Sequence, residues 1–241
     1  MKLSLLVLAI APIIACILWI YLKDRYDKEP IMILGKFFIL GILMSAIAII
    51  VENFLMKINI FEGYSSLIYI SFIVAALTEE GLKGLVLIPN VLKEKNFNEK
   101  LDGIIYSIFL SLGFATIENI IYILFEDYQT AFEVGIIRAV ISVPAHIMFA
   151  ITMGYYVSKY KFSNKSIKKR EYLIMSILVP ILIHGGFDFI LMIEYRWSII
   201  VFAIYIVFLW KINLDKLDDY INKSKKRFFR IRKKKGRDYK S

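Results

Sequence analysis

Seven stretches of this chain are apolar over a length that matches a lipid bilayer, at about residues 3–22, 31–51, 66–92, 101–125, 132–158, 171–194 and 197–212. A run of about 20 apolar residues crosses hydrocarbon as a helix, which satisfies its backbone N–H and C=O groups internally. The pattern therefore restricts the chain to an all-α polytopic membrane protein, a bundle of about seven transmembrane helices. A hydrophobic content of 59% over 241 residues and a mean hydropathy of +0.63 agree with that class. Only Glu194, Tyr195 and Arg196 separate the last two spans.

The first span follows Met1 and Lys2 directly, lacks a small-residue cleavage site and is long enough to cross, so it is expected to remain as a helix. Its Cys16 is the single cysteine, which excludes an intrachain disulfide and reads as a small packing residue. The connections are short, and apart from the tail the longest polar stretch is about residues 159–171. One integral-membrane domain over residues 1–210, with its core at 66–194, and a basic tail over 211–241 account for the whole chain. Any chemistry has to occur within the membrane.

Basic residues gather in alternate connections: Lys23, Arg25 and Lys28; Lys93, Lys95 and Lys100; Lys159, Lys161, Lys165, Lys168, Lys169 and Arg170. By the positive-inside rule these loops are cytoplasmic, which puts the N-terminus outside and the C-terminus inside a cell membrane. Seven crossings fit that parity. The tail holds 13 Lys and Arg against 4 Asp, nearly all of the chain's formal charge of +10. Its run from Lys225 to Lys235 is expected to lie on an anionic leaflet, at about 1 kcal/mol per charge near the surface. No nucleic acid is expected, because juxtamembrane anchoring already explains a basic run with aromatic residues.

Within the spans the ionisable residues are few: Lys36, Glu79, Glu80, Lys83, Glu118, Arg138, His146, His184 and Asp188. Each costs about 2.5–3.5 kcal/mol on insertion scales, so such residues face partners inside the bundle and mark function. Lys36 lies near a cytoplasmic end and can snorkel. The rest converge in depth. At about 1.5 Å rise per residue, Glu79, Glu80, His146 and His184 fall near the midplane, with Glu118, Arg138 and Asp188 somewhat further out. Lys83 lies one turn from both Glu79 and Glu80, and Asp188 one turn from His184, where it can orient the imidazole. Each pair read alone is also consistent with a neutralising contact that only keeps its helix stable.

Gly81, Gly84, Gly113, Gly185 and Gly186 flank these residues and permit close helix approach, which is also ordinary membrane packing. Pro144, two residues before His146, is placed to kink the fifth span and free a carbonyl near the site.

Paired carboxylates and two histidines can activate water in two ways. Histidine and glutamate can ligate Zn²⁺ beside a glutamate base, with Glu80, His146 and His184 as ligands, or a glutamate can act alone while histidines or Asn119 bind the oxyanion. The His-Glu-x-x-His signature and a Gly-x-Gly-Asp pattern are both absent, and no nucleophile elbow surrounds Ser142. A proton-coupled transporter or channel needs a similar midplane set, although no pair of broken helices recurs in corresponding halves. A non-catalytic scaffold, with the polar layer as interhelical glue, is the third reading.

The blocks Thr78-Glu79-Glu80-Gly81-Leu82-Lys83, Gly113-Phe114-Ala115-Thr116-Ile117-Glu118-Asn119, Arg138 with Pro144-Ala145-His146, and His184-Gly185-Gly186-Phe187-Asp188 occur in order over roughly residues 75–190. In this the chain resembles the PrsW family of bacterial intramembrane proteases, related to the CAAX prenyl endopeptidases. The resemblance implies that Glu79, Glu80, His146 and His184 are catalytic, with Lys83, Glu118, Asn119, Arg138 and Asp188 in support. Glu118 stands where the prenyl endopeptidases tend to have His, and Asp188 where they tend to have Asn. The implied substrate is a single-pass membrane protein, an anti-sigma factor cut near its outer side in regulated intramembrane proteolysis during a stress response.

Overall fold

A computed structural model describes residues 2–125, 127–193 and 195–238. Glu194 lies outside them. The described residues form helices and no strand, in the order α1 (Lys2–Lys23), α2 (Ile31–Lys57), α3 (Gly63–Ile68), a π-helical segment (Tyr69–Leu77), α4 (Thr78–Lys93), α5 (Lys100–Leu124), α6 (Tyr128–Ile137), a second π-helical segment (Arg138–Ser142), α7 (Val143–Phe162), α8 (Ser166–Met192) and α9 (Ser198–Asp238). The π segments join their flanking helices into continuous rods, so the described chain makes seven rods, close to the seven apolar stretches. Six helices are long and apolar enough to cross a membrane. The remaining rod, α3 to α4, is the one that carries Glu79, Glu80 and Lys83.

The hub is α5, whose residues 101–115 are all buried. Two helices reach it by backbone contact. A Cβ on Gly113 would collide with the Phe38 carbonyl of α2, and one on Gly154 of α7 with the Gly103 carbonyl. Small residues at such crossings let helices approach where lipid offers no hydrophobic drive for association. The α2–α5 contact is reciprocal, since a Cβ on Gly41 would strike the Leu110 carbonyl. At the start of α5 the Asn98 and Glu99 N–H groups both donate to Asp102 Oδ2, each at 2.8 Å, which satisfies donors just ahead of the first turn.

The first π segment ends just before Thr78-Glu79-Glu80, and the second begins at Arg138 and ends four residues before His146. Such one-residue widenings are rare and frequent at functional sites. The second runs up to Val143-Pro144, where proline has no N–H to give to the preceding turn, so the expected kink takes the form of a widened turn.

The tail continues the last span as one helix, α9, which runs through residues 210 and 211 and has 41 residues, about 60 Å and twice the depth of hydrocarbon. Its second half is docked: Leu217, Tyr220 and Ser224 are buried. Arg227 Nη1 lies 3.2 Å from Glu99 Oε2 and 3.5 Å from Asp27 Oδ2, and Phe228 and Phe229 pack on Tyr26. Part of the basic run therefore answers carboxylates of the chain's own loops. Lys36, set aside as a snorkelling residue, pairs with Glu94 at 3.8 Å.

Candidate active site

Four rods meet at the residues singled out by depth. On the first turns of α4, Glu79 and Glu80 share one ammonium, with Lys83 Nζ donating to Glu79 Oε2 at 3.0 Å and to Glu80 Oε1 at 2.7 Å. All three are buried, Glu80 completely. Lys83 Nζ also sits 4.1 Å from the Phe114 ring centroid of α5, a cation–π contact, and 3.4 Å from His146 Nδ1 of α7. One cation thus ties α4 to α5 and α7.

On α8, His184 has a carboxylate at each ring nitrogen: Nδ1 is 3.2 Å from Glu80 Oε1 and Nε2 is 3.3 Å from Asp188 Oδ2. Only the doubly protonated ring donates to both. Its face stacks on Phe149, with centroids 4.6 Å apart. The two histidines, on different helices, come to 6.0 Å between centroids.

The third cluster is on α5. His146 Nε2 lies 2.7 Å from Glu118 Oε2, and Arg138 Nη2 lies 3.7 Å from the same oxygen. Arg138 Nε donates to Asn119 Oδ1 at 2.7 Å, and Asn119 Nδ2 donates to the Ala9 carbonyl of α1 at 3.1 Å. Asn119 is therefore a strut that aims Arg138 at Glu118. For all its closeness to His146, Glu118 Oε2 is buried without an aligned hydrogen-bond donor.

These groups open onto a cavity of 390 Å³ lined by Glu79, Glu118, Arg138, His146, His184 and Asp188 among others. Glu80 and Lys83 are not in its wall. The cavity reaches Met56, Tyr122 and Met192 near the ends of α2, α5 and α8 that lie away from the basic loops, so it faces that end of the bundle.

A metal fits one part of this set. The expected trio Glu80, His146 and His184 is split: among the described residues, donor atoms within 4.8 Å of one another fall into the groups Glu79, Glu80, His184 and Glu79, Glu118, His146. The Lys83 ammonium holds both glutamates of the first, and of the second it touches Glu79 and His146 but not Glu118. In the second, which faces the cavity, the Glu118 oxygen and the His146 nitrogen stand close without hydrogen-bond alignment, an arrangement suited to two ligands of one cation.

The sequence reading missed one acidic residue, Glu52, which lines the cavity from α2. The second span was expected to end at 51, whereas α2 runs to Lys57. The return of apolar residues at Phe54-Leu55-Met56 is the signal that extends it.

Residues 29–212 match the family described as PrsW family intramembrane metalloprotease. A protein of Clostridioides difficile (strain 630) named Protease PrsW is 64% identical over 236 residues, covering 98% of this chain and 99% of that one. Proteins of the same name from Bacillus subtilis (strain 168) and Geobacillus kaustophilus (strain HTA426) are each 36% identical, covering 86% and 89% of this chain and 91% of their own lengths. No solved structure matches. With the matched region enclosing all four site-bearing rods, the chain belongs to the PrsW family of intramembrane metalloproteases.

Proposed function

We propose that this protease cuts a single-pass membrane protein close to the outer surface, and that its substrate is a membrane-anchored anti-sigma factor. The observation that carries the reading is the polar cavity open toward the end of the bundle away from the basic loops. With those loops cytoplasmic, the N-terminus and the cavity are outside and the C-terminus inside the cell. Lys225, Lys226, Arg230, Arg232 and Lys233, exposed on α9, are suited to the anionic inner leaflet.

In this mechanism Glu79 is the base. Its Oε2 is occupied by Lys83, which leaves the other oxygen for a water in the cavity. The water oxygen attacks the scissile carbonyl carbon as Glu79 takes the proton. The positive charge on His184, held between Glu80 and Asp188, stabilises the developing oxyanion across the cavity. Collapse of the tetrahedral intermediate breaks the C–N bond, and the proton held by Glu79 passes to the leaving amine. Glu80 touches neither water nor substrate and positions Lys83 and His184. Glu118 and His146 would hold a divalent ion beside the Glu79 carboxylate, with Zn²⁺ suited to such nitrogen and oxygen donors, and the chemistry it supplies when bound is Lewis acidity toward water and carbonyl. This use of a glutamate on water is the feature we take to be shared with the CAAX prenyl endopeptidases.

The test is co-expression with a tagged single-pass substrate, mapping the cut by mass spectrometry. A cut within a few residues of the outer surface, lost in Glu79→Gln, supports the reading. A cut on the cytoplasmic side contradicts it.

A further inference from the structure

Every carboxylate in the cavity wall but one has a counterpart. Glu79 has Lys83 at 3.0 Å, Glu118 has His146 at 2.7 Å and Arg138 at 3.7 Å, and Asp188 has His184 at 3.3 Å. Glu52 has no basic group within salt-bridge distance among the described residues, and its Oε1 is buried without a donor. It stands on α2, which carries none of the motif blocks. A half-buried carboxylate with no partner is costly to keep charged, and a cation arriving with an occupant of the cavity would let it hold that charge.

Its position says where that cation comes from. Glu52 is five residues before the end of α2 at Lys57, about 7.5 Å in from that end, next to Asn53 and one turn from Met56 in the cavity wall. Glu79 is 16 residues in from the corresponding end of its rod at Gly63, so Glu52 is the shallower of the two. A chain entering the cavity passes Glu52 before it reaches the groups around His146.

We propose that Glu52 is a specificity-determining residue that receives a lysine or arginine side chain of the substrate, next to the bond to be cut. The assignment rests on the proteolytic reading above, because it takes the cavity's occupant to be a polypeptide. A basic side chain is long enough to keep its charge at the mouth while its stem lies along the apolar wall, and it would satisfy the buried oxygen that no described residue answers.

The test uses leucine-based single-pass peptides that differ at one juxtamembrane position, lysine against the near-isosteric norleucine, scanned over one helical turn. Binding is read by fluorescence in nanodiscs with a cleavage-disabled Glu79→Gln chain, and cleavage is read separately with Glu79 intact. The lysine peptide is expected to bind about tenfold more tightly at one register, Glu52→Gln to erase that preference, and Glu52→Lys to transfer it to the glutamate peptide. Equal binding of the two peptides at every register, absence of binding, or a preference that survives Glu52→Gln overturns the proposal. A Glu52-dependent preference without any cleavage would keep the assignment and refute the proteolytic roles given to Glu79 and His184.

Discussion

Lys83 Nζ and Glu80 Oε1 are 2.7 Å apart with neither side chain reaching the surface, and this pair fixes how the rest of the site is arranged. Glu80 orients the ammonium toward Glu79 and His146 and holds His184 through its ring nitrogen.

Removing one member leaves a buried charge unpaired. Lys83→Met is expected to lower stability by about 3–5 kcal/mol, read as a lower unfolding midpoint in detergent, whereas adding Glu80→Gln recovers part of that loss while activity stays absent. Recovery of activity in the double variant would remove Glu80 from the site.

Asp188 acts through His184. Asp188→Asn keeps the shape and gives up the charge at Nε2, so kcat should fall about 10–100-fold with little change in KM or in the unfolding midpoint. A change in KM alone would make Asp188 a substrate contact instead.

The α2–α5 crossing sets where Glu52 stands relative to Glu118. Gly113→Ala puts a methyl group against the Phe38 carbonyl and should cost about 1–3 kcal/mol of stability, since neither backbone can yield locally. Gly81→Ala, where a Cβ meets nothing within 4 Å, is the matched control and should be silent.

Much of this site was legible in the sequence because the solvent made it so. Ionisable residues are costly in hydrocarbon, which singled out Glu79, Glu80, Lys83, Glu118, Arg138, His146, His184 and Asp188, and the constant helical rise matched their depths. Pairing was less legible. Which carboxylate faces the cavity depends on helix rotation, which the π segments alter and which no hydropathy period records, so Glu80 lies outside the cavity wall and the trio Glu80, His146, His184 is divided. Glu52 was lost to a span boundary drawn at the first polar residue. The docking of α9 was hidden because Arg227 reads as one more basic residue until Asp27 and Glu99 are brought beside it.

That docking end also has a pH response. Between α1 and α2, burial is the main cause that raises the Asp24 carboxyl to about 6, with nearby Glu99 and Asp27 adding to it; burial likewise raises Glu29 to about 7, although Tyr106 donates to its carboxylate. Both values lie above the unfolded range near 4. The folded state therefore binds more protons between about pH 4 and 7, and stability falls as pH rises through that window. The unfolding midpoint should drop between pH 5 and pH 7.5, and Glu29→Gln should flatten the drop. A midpoint that rises over this range in wild type relative to Glu29→Gln would contradict it.

The account stands most directly on Glu79 as the base that faces the cavity. The decisive measurement is single-turnover cleavage of a single-pass peptide by purified protein in proteoliposomes, comparing wild type with a Glu79→Gln variant whose unfolding midpoint is matched. The account predicts a loss in rate of at least about a hundredfold with peptide affinity retained. Cleavage by Glu79→Gln within a few-fold of the wild-type rate would contradict it.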